Sequence, residues 1–99
     1  MKLREIAYSR SGDKGDTSNI CVFVYDPDDY PRLCSAVTAS VVKERFGSLV
    51  QGDVVRYELP RSHGLNFVLT RALAGGVSMS ARVDPHGKSF QSLVLDIDV

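Results

Sequence analysis

The most informative stretch of this 99-residue chain for chemistry is Ser9-Arg10-Ser11-Gly12-Asp13-Lys14-Gly15-Asp16-Thr17-Ser18-Asn19. It holds no large apolar side chain, and Arg10, Ser11, Asp13, Lys14, Asp16, Thr17 and Asn19 are all donors or acceptors. Its two glycines allow positive φ and a close backbone approach to a ligand. The stretch is not a phosphate loop, because Gly-x-x-x-x-Gly-Lys-Ser/Thr is absent. Nor is it a calcium loop, because Asp13 and Asp16 are off the alternating acidic pattern. Two carboxylates would also repel a phosphate unless a metal or Lys14 intervened. Read as an eleven-residue loop, it is longer than an ordinary hairpin connection, and long loops in compact domains are commonly functional. Two readings stand side by side: a polar loop held by its own Asx turns and an Arg–Asp pair, or a surface that contacts a ligand or partner.

Two further segments carry weaker signals. Asp84-Pro85-His86-Gly87-Lys88 has a histidine and a lysine suited to an anion. The same residues also spell a type I turn position by position, which leaves His86 merely exposed. Ser62-His63-Gly64-Leu65-Asn66 would open a helix, with Ser62 as its N-cap. Asn66 and His63 would then lie beside the loop. No Ser/His/Asp set is evident, and nothing marks a nucleophile. Cys21 and Cys34 sit in apolar stretches without a CxxC or a Cys/His cluster, so we read them as reduced core thiols. No cofactor or metal is called for, and no catalytic residue is assigned.

The elements that must position these residues follow from hydrophobic period. Leu3–Arg10 reads as a strand, with Ile6 and Tyr8 on one side and Glu5 and Ala7 on the other. Ile20–Tyr25 is apolar on both faces and rich in β-branched and aromatic types, the pattern of a central strand covered on both sides. Tyr30, Leu33, Cys34, Val37 and Val41 recur on one helical face. Asp28 or Asp29 would cap that helix and Gly47 would end it, with room for a break near Thr38. Val55, Tyr57 and Leu59 alternate with Arg56 and Glu58 as a strand ended by Pro60. Leu65, Val68, Leu69, Ala72 and Leu73 fit a second helix, ended by Gly75-Gly76. Met79–Val83 and Leu93–Val99 alternate as two last strands. The expected fold is α+β: a two-layer sandwich with two helices on one face of a mainly antiparallel sheet.

Composition bounds the function classes. The hydrophobic fraction is 43% and the charged fraction 24%, which suits one globular domain over residues 1–99 and excludes a disordered or fibrous chain. Twelve basic residues balance twelve acidic ones, and the balance holds in each half, which argues against a nucleic-acid partner. The charged N-terminus lacks a signal peptide's apolar run, and no apolar run approaches the ~18–20 residues of a membrane helix. The expectation is a cytoplasmic protein without a membrane partner.

The segment Arg10–Ile20 resembles the hallmark loop of the small C-terminal domain of the acyclic terpene utilisation (AtuA-like) family. Val55-Arg56-Tyr57-Glu58-Leu59-Pro60, Leu65-Asn66-Phe67-Val68-Leu69 and Asp84-Pro85-His86-Gly87-Lys88-Ser89 resemble the same domain in the same order. The resemblance implies a ferredoxin-like fold and a bacterial setting. It also implies a link to breakdown of branched, terpene-derived acids as CoA thioesters. In longer relatives this domain follows a much larger one, so a separately encoded large AtuA-like subunit, a homo-oligomer, or both are the expected partners. The family offers no catalytic residues to carry over. Two functions follow as expectations. The first is an accessory or interaction domain without catalysis of its own. The second is a small enzyme or ligand binder, in which loop 10–19 with Asn66 and His86 receives an acyl-CoA or carboxylate, with Asp13 and Asp16 as possible holders of a divalent metal.

Overall fold

The structure is a computed structural model that describes residues 1–14, 17–47, 50–71 and 93–99, with Asp13 and Lys14 described by their backbone alone. Four antiparallel strands form one sheet: β1 (Ala7–Lys14), β2 (Thr17–Val24), β3 (Val54–Leu59) and β4 (Gly64–Leu69). Their spatial order is β1-β2-β4-β3. Two short helices, α1 (Tyr30–Ala36) and α2 (Ala39–Phe46), connect β2 to β3. Because β4 pairs antiparallel with both β2 and β3, those two run in the same direction with β4 between them. This is the split β-α-β unit of ferredoxin-like folds. The edge place beside β2 is taken by β1, from the start of the chain.

The helices lie on one side of the sheet. Ile20, Val22 and Val24 of β2 and Leu65, Phe67 and Leu69 of β4 pack there with Leu33, Val37, Val42 and Phe46. Phe67, Ile20, Leu33 and Leu65 are fully enclosed, and each such side chain contributes about 1.5–3 kcal/mol through burial. Sequence explains the helix ends. Asp26 accepts a hydrogen bond from Asp28 N–H and starts a 3-10 turn over Pro27–Asp29, which leads into α1. Asp29 holds the N-cap position of α1, one of the two expected there, but its side chain makes no capping bond; the capping bond is made one turn earlier by Asp26. Thr38 breaks the helix in two: its extended backbone ends α1, and its hydroxyl accepts from Val41 N–H at 3.2 Å to start α2. Gly47 follows α2 with φ +56°, a conformation that suits glycine.

Four sequence expectations are corrected. The polar stretch 9–19 is not a loop. Its residues are paired through β1 and β2 down to Lys14 opposite Thr17, which leaves two residues, Gly15 and Asp16, to join them. A polar antiparallel strand needs no apolar side chain when it sits at an edge, because the backbone pairing supplies the order. Leu65–Leu73 does not begin a helix: Leu65, Phe67 and Leu69 alternate inward as β4, and Ser62 ends a 3-10 turn, Pro60–Ser62, instead of capping a helix. Leu3–Glu5 is a 3-10 turn, and within β1 it is Ala7 that is buried and Tyr8 that is exposed. Residues 93–95 make a helical turn, because Val94 and Ile97, three apart, are the buried pair. Lys2 and Asp98 form an isolated bridge nearby. The expected strand Met79–Val83, the Gly75-Gly76 stop and the turn at Asp84–Gly87 lie outside the described residues.

Candidate functional site: the open face of the sheet

Strand alternation sends every second side chain away from the helices. On β2 these are Thr17, Asn19, Cys21 and Phe23, and on β4 they are Asn66 and Val68. Their cross-strand partners extend the face to both edges. One row runs Arg10, Cys21, Asn66, Tyr57; the row beside it runs Tyr8, Phe23, Gly64, Leu59; another runs Gly12, Asn19, Val68, Val55. No described element covers this face. Tyr57 is 52% exposed, Tyr25 66%, and Tyr8 and Val55 41% each. The sequence expectation that Ile20–Tyr25 is covered on both sides is therefore corrected: Cys21 and Phe23 are half-buried and Tyr25 is exposed.

The face has two chemical zones. Aromatic rings gather at one end, where Tyr8 lies 5.5 Å from Phe23 and 5.2 Å from Tyr25 between ring centroids. In the middle is a small polar cluster. Asn19 Nδ2 donates to Asn66 Oδ1 at 3.3 Å, and the Cys21 thiol donates to the same oxygen at 3.3 Å. Asn66 Nδ2 makes no hydrogen bond among the described residues. Arg10, exposed on the edge strand, makes no hydrogen bond or ion pair among the described residues. It is the one full charge among the described side chains of the face.

The sheet thus brings together three of the residues singled out from the sequence: Arg10, Asn19 and Asn66, with Thr17 on the same side. Asn66 does lie beside the 9–19 segment, from a strand rather than a helix. Ser11 alternates to the opposite side of β1. The side chains of Asp13 and Lys14, and all of Asp16 and His86, lie outside the described residues. His63 adopts the left-handed conformation, φ 54°, and stacks edge-on against Tyr30 at 5.9 Å, away from the polar cluster. Among the described residues, no three metal-ligating side chains converge. Cys21 and Cys34 are both free; one faces outward from the sheet and the other lies on α1 against the core, so they do not pair with each other.

Sequence reasoning missed Tyr8, Cys21, Phe23, Tyr25 and Tyr57 as members of this surface. The signal was present in the alternation of Val55 and Tyr57 with Arg56 and Glu58. Period two reveals two faces without saying which is covered. Here the apolar set faces outward, and Arg56 goes in towards the helices.

Among the described residues, no helix is long and apolar enough to cross a membrane. Comparison with curated proteins and with solved structures finds no match. The model of one family, the AtuA ferredoxin-like domain, matches residues 1–99, the whole chain. The split β-α-β sheet agrees with that match, and the chain belongs to the AtuA ferredoxin-like domain family.

Proposed function

We propose that this protein is a non-catalytic accessory domain of an AtuA-like system, serving the catabolism of branched or terpene-derived acyl-CoA compounds by binding another protein chain. The observation that carries this reading is the open sheet face, where Tyr8, Tyr25, Val55 and Tyr57 are exposed around a nearly uncharged centre. Large aromatic and apolar side chains exposed together on one face mark interaction sites. Tyrosine is enriched, and charge depleted, at the cores of protein–protein interfaces. A face with one cation among its described side chains does not suggest the basic footprint of a nucleic-acid binder. Two free thiols suit a cytoplasmic setting.

The test is affinity capture of the tagged chain from its native lysate, read by mass spectrometry, beside the Tyr57→Lys variant. Recovery of a large AtuA-like polypeptide, or of untagged copies of the chain, that is lost on substitution supports the reading. Capture that is indifferent to Tyr57→Lys, or no capture, overturns it.

A second reading, a carboxylate or acyl-CoA binder, is favoured by the Arg10 guanidinium, unpaired among the described residues, on the same face as the Asn19–Asn66 carboxamides. It expects calorimetric binding of a branched acyl-CoA that disappears in Arg10→Ala.

A further inference from the structure

We propose that the occupant of the open face is a second copy of this chain, packed sheet against sheet about a two-fold axis parallel to the strands between β2 and β4. The inference rests on the interaction reading above and names its partner.

The dimensions fit. Four strands at ~4.8 Å spacing and six to eight residues at ~3.4 Å rise give a plan area of roughly 400–500 Å², which side-chain relief brings towards the ~600–1,000 Å² per partner of a standard interface. Two aligned sheets packed face to face form a sandwich core ~10 Å thick. The product is a four-layer particle, helices outside and both sheets within. Closed two-fold dimers are also the commonest oligomers.

Charge chooses the axis. A two-fold running across the strands would lay β1 over β1 and bring the two Arg10 guanidinium groups to the same edge, unpaired. A two-fold along the strands lays β1 of one copy over β3 of the other. Within the row Arg10, Cys21, Asn66, Tyr57, Arg10 then faces Tyr57 of the other copy, and Cys21 faces Asn66. An arginine over a tyrosine ring is a favourable cation–π contact. Asn66 Nδ2, which makes no hydrogen bond among the described residues, would then have an acceptor to find across the interface. Phe23 leans over Gly64, whose site has no room for a Cβ beneath the ring, so Phe23 lies near the midline of the face. Two copies therefore meet through Phe23 at the centre.

The same geometry supplies a test that a merely structural role would not pass. Within one chain Arg10 and Tyr57 lie on opposite edge strands, three strand spacings or ~14 Å apart, too far to pair. The purified full chain is examined by sedimentation equilibrium, with circular dichroism confirming that each variant is folded. The wild-type chain is expected to dimerise at micromolar concentration. Tyr57→Lys, which sets lysine against Arg10 of the other copy, should weaken the dimer at least tenfold, and so should Val55→Lys, which buries a charge in the interface. Arg10→Glu combined with Tyr57→Lys should recover dimerisation relative to Tyr57→Lys alone, since glutamate and lysine now meet across the axis. A monomeric wild-type chain overturns the proposal. A dimer that survives both Tyr57→Lys and Val55→Lys pairs elsewhere and overturns it too, as does a folded double variant that stays as weak as Tyr57→Lys. A monomer that still captures a large AtuA-like chain through Tyr57 overturns the second copy but leaves the interaction reading standing.

Discussion

Arg56 of β3 closes the last turn of α1: its guanidinium donates to the carbonyl of Cys34 at 2.6 Å and to that of Val37 at 3.1 Å. The helix ends after only seven residues, where Thr38 turns the chain, so these carbonyls have lost their helical donors. Nη1 holds both carbonyls while Nη2 turns to Glu58, so the planar head serves three acceptors that a compact ammonium meets only in part. The contact also explains why an arginine occupies the covered side of an edge strand: its head replaces missing backbone donors, and Glu58 Oε2 receives its outer nitrogen at 3.1 Å. Arg56→Ala is expected to cost about 1.5–3 kcal/mol, the range for hydrogen bonds to charged groups. Arg56→Lys should recover part of that. Urea unfolding of the three chains decides it, and equal midpoints would remove Arg56 from the account of how α1 ends.

Gly64 is required by its neighbours. A Cβ there would lie 2.5 Å from Cδ1 of Phe23 and 2.7 Å from the carbonyl oxygen of Val22. The backbone oxygen cannot move without breaking β2–β4 pairing, so the strain is not relieved by a rotamer change alone. Gly64→Ala is expected to destabilise the chain by about 1–3 kcal/mol, as overpacking does. Combining it with Phe23→Ala removes only the ring clash and should restore part of the loss, which thermal unfolding of the single and double variants would reveal.

What was legible in the sequence was whatever a single period decides. The helical face from Tyr30 to Val41, the stop at Gly47 and the central position of Ile20–Tyr25 all follow from spacing and chain chemistry. Leu65–Leu73 failed because it fits both periods: Leu65, Phe67 and Leu69 make an inward strand face, while Leu65, Val68, Leu69 and Ala72 make a helical one. The aromatic and β-branched Phe67 and Val68 favoured the strand, and pairing with β2 and β3 settled it. The 9–19 stretch failed for another reason. Length was counted from the absence of apolar side chains, yet an edge hairpin needs none, because its backbone pairing supplies the order. The candidate residues Arg10, Asn19 and Asn66 could be picked out by type, but their meeting on one face depends on β4 being a strand.

Asp96 ties the last described segment to two others. Arg4 Nε donates to Asp96 Oδ1 at 3.0 Å, and Arg45 approaches Oδ2 at 4.0 Å. The hydrogen bond from Arg4 is the main reason that the Asp96 carboxyl titrates below its ordinary value, with the charges of Arg4, Lys2 and Arg45 adding to it. A carboxyl held lower in the folded chain stabilises the fold above the unfolded pKa of about 3.9, and that contribution is lost as pH falls through the lower folded value. Asp96→Asn should therefore lower the urea midpoint at pH 7 and leave it close to wild type well below pH 3, where the aspartate is protonated as well. A gap between the two chains that stays constant with pH would show that the charge of Asp96 is irrelevant.

Tyr30 joins the same helix to the far side of the fold. Its hydroxyl donates to the carbonyl of Gly64 at 3.0 Å, where the 3-10 turn after β3 gives way to β4, and its ring stands edge-on to His63. Partial burial, then the neighbouring Cys34 thiol, push the phenol above its usual 10. The neutral phenol is thus favoured by folding. Its contribution is complete below the unfolded pKa of about 10 and is lost as pH rises through the higher folded value. Tyr30→Phe keeps the ring and deletes only the hydroxyl, so it should cost about 1 kcal/mol, the net value of one hydrogen bond. Its midpoint should also fall less than that of wild type between pH 10 and 11. Ultraviolet difference titration gives an independent check. A late ionisation step is expected in the folded chain, and it should vanish in Tyr30→Phe. If no late step is present, or if it survives in Tyr30→Phe, burial beside Cys34 does not keep the phenol neutral.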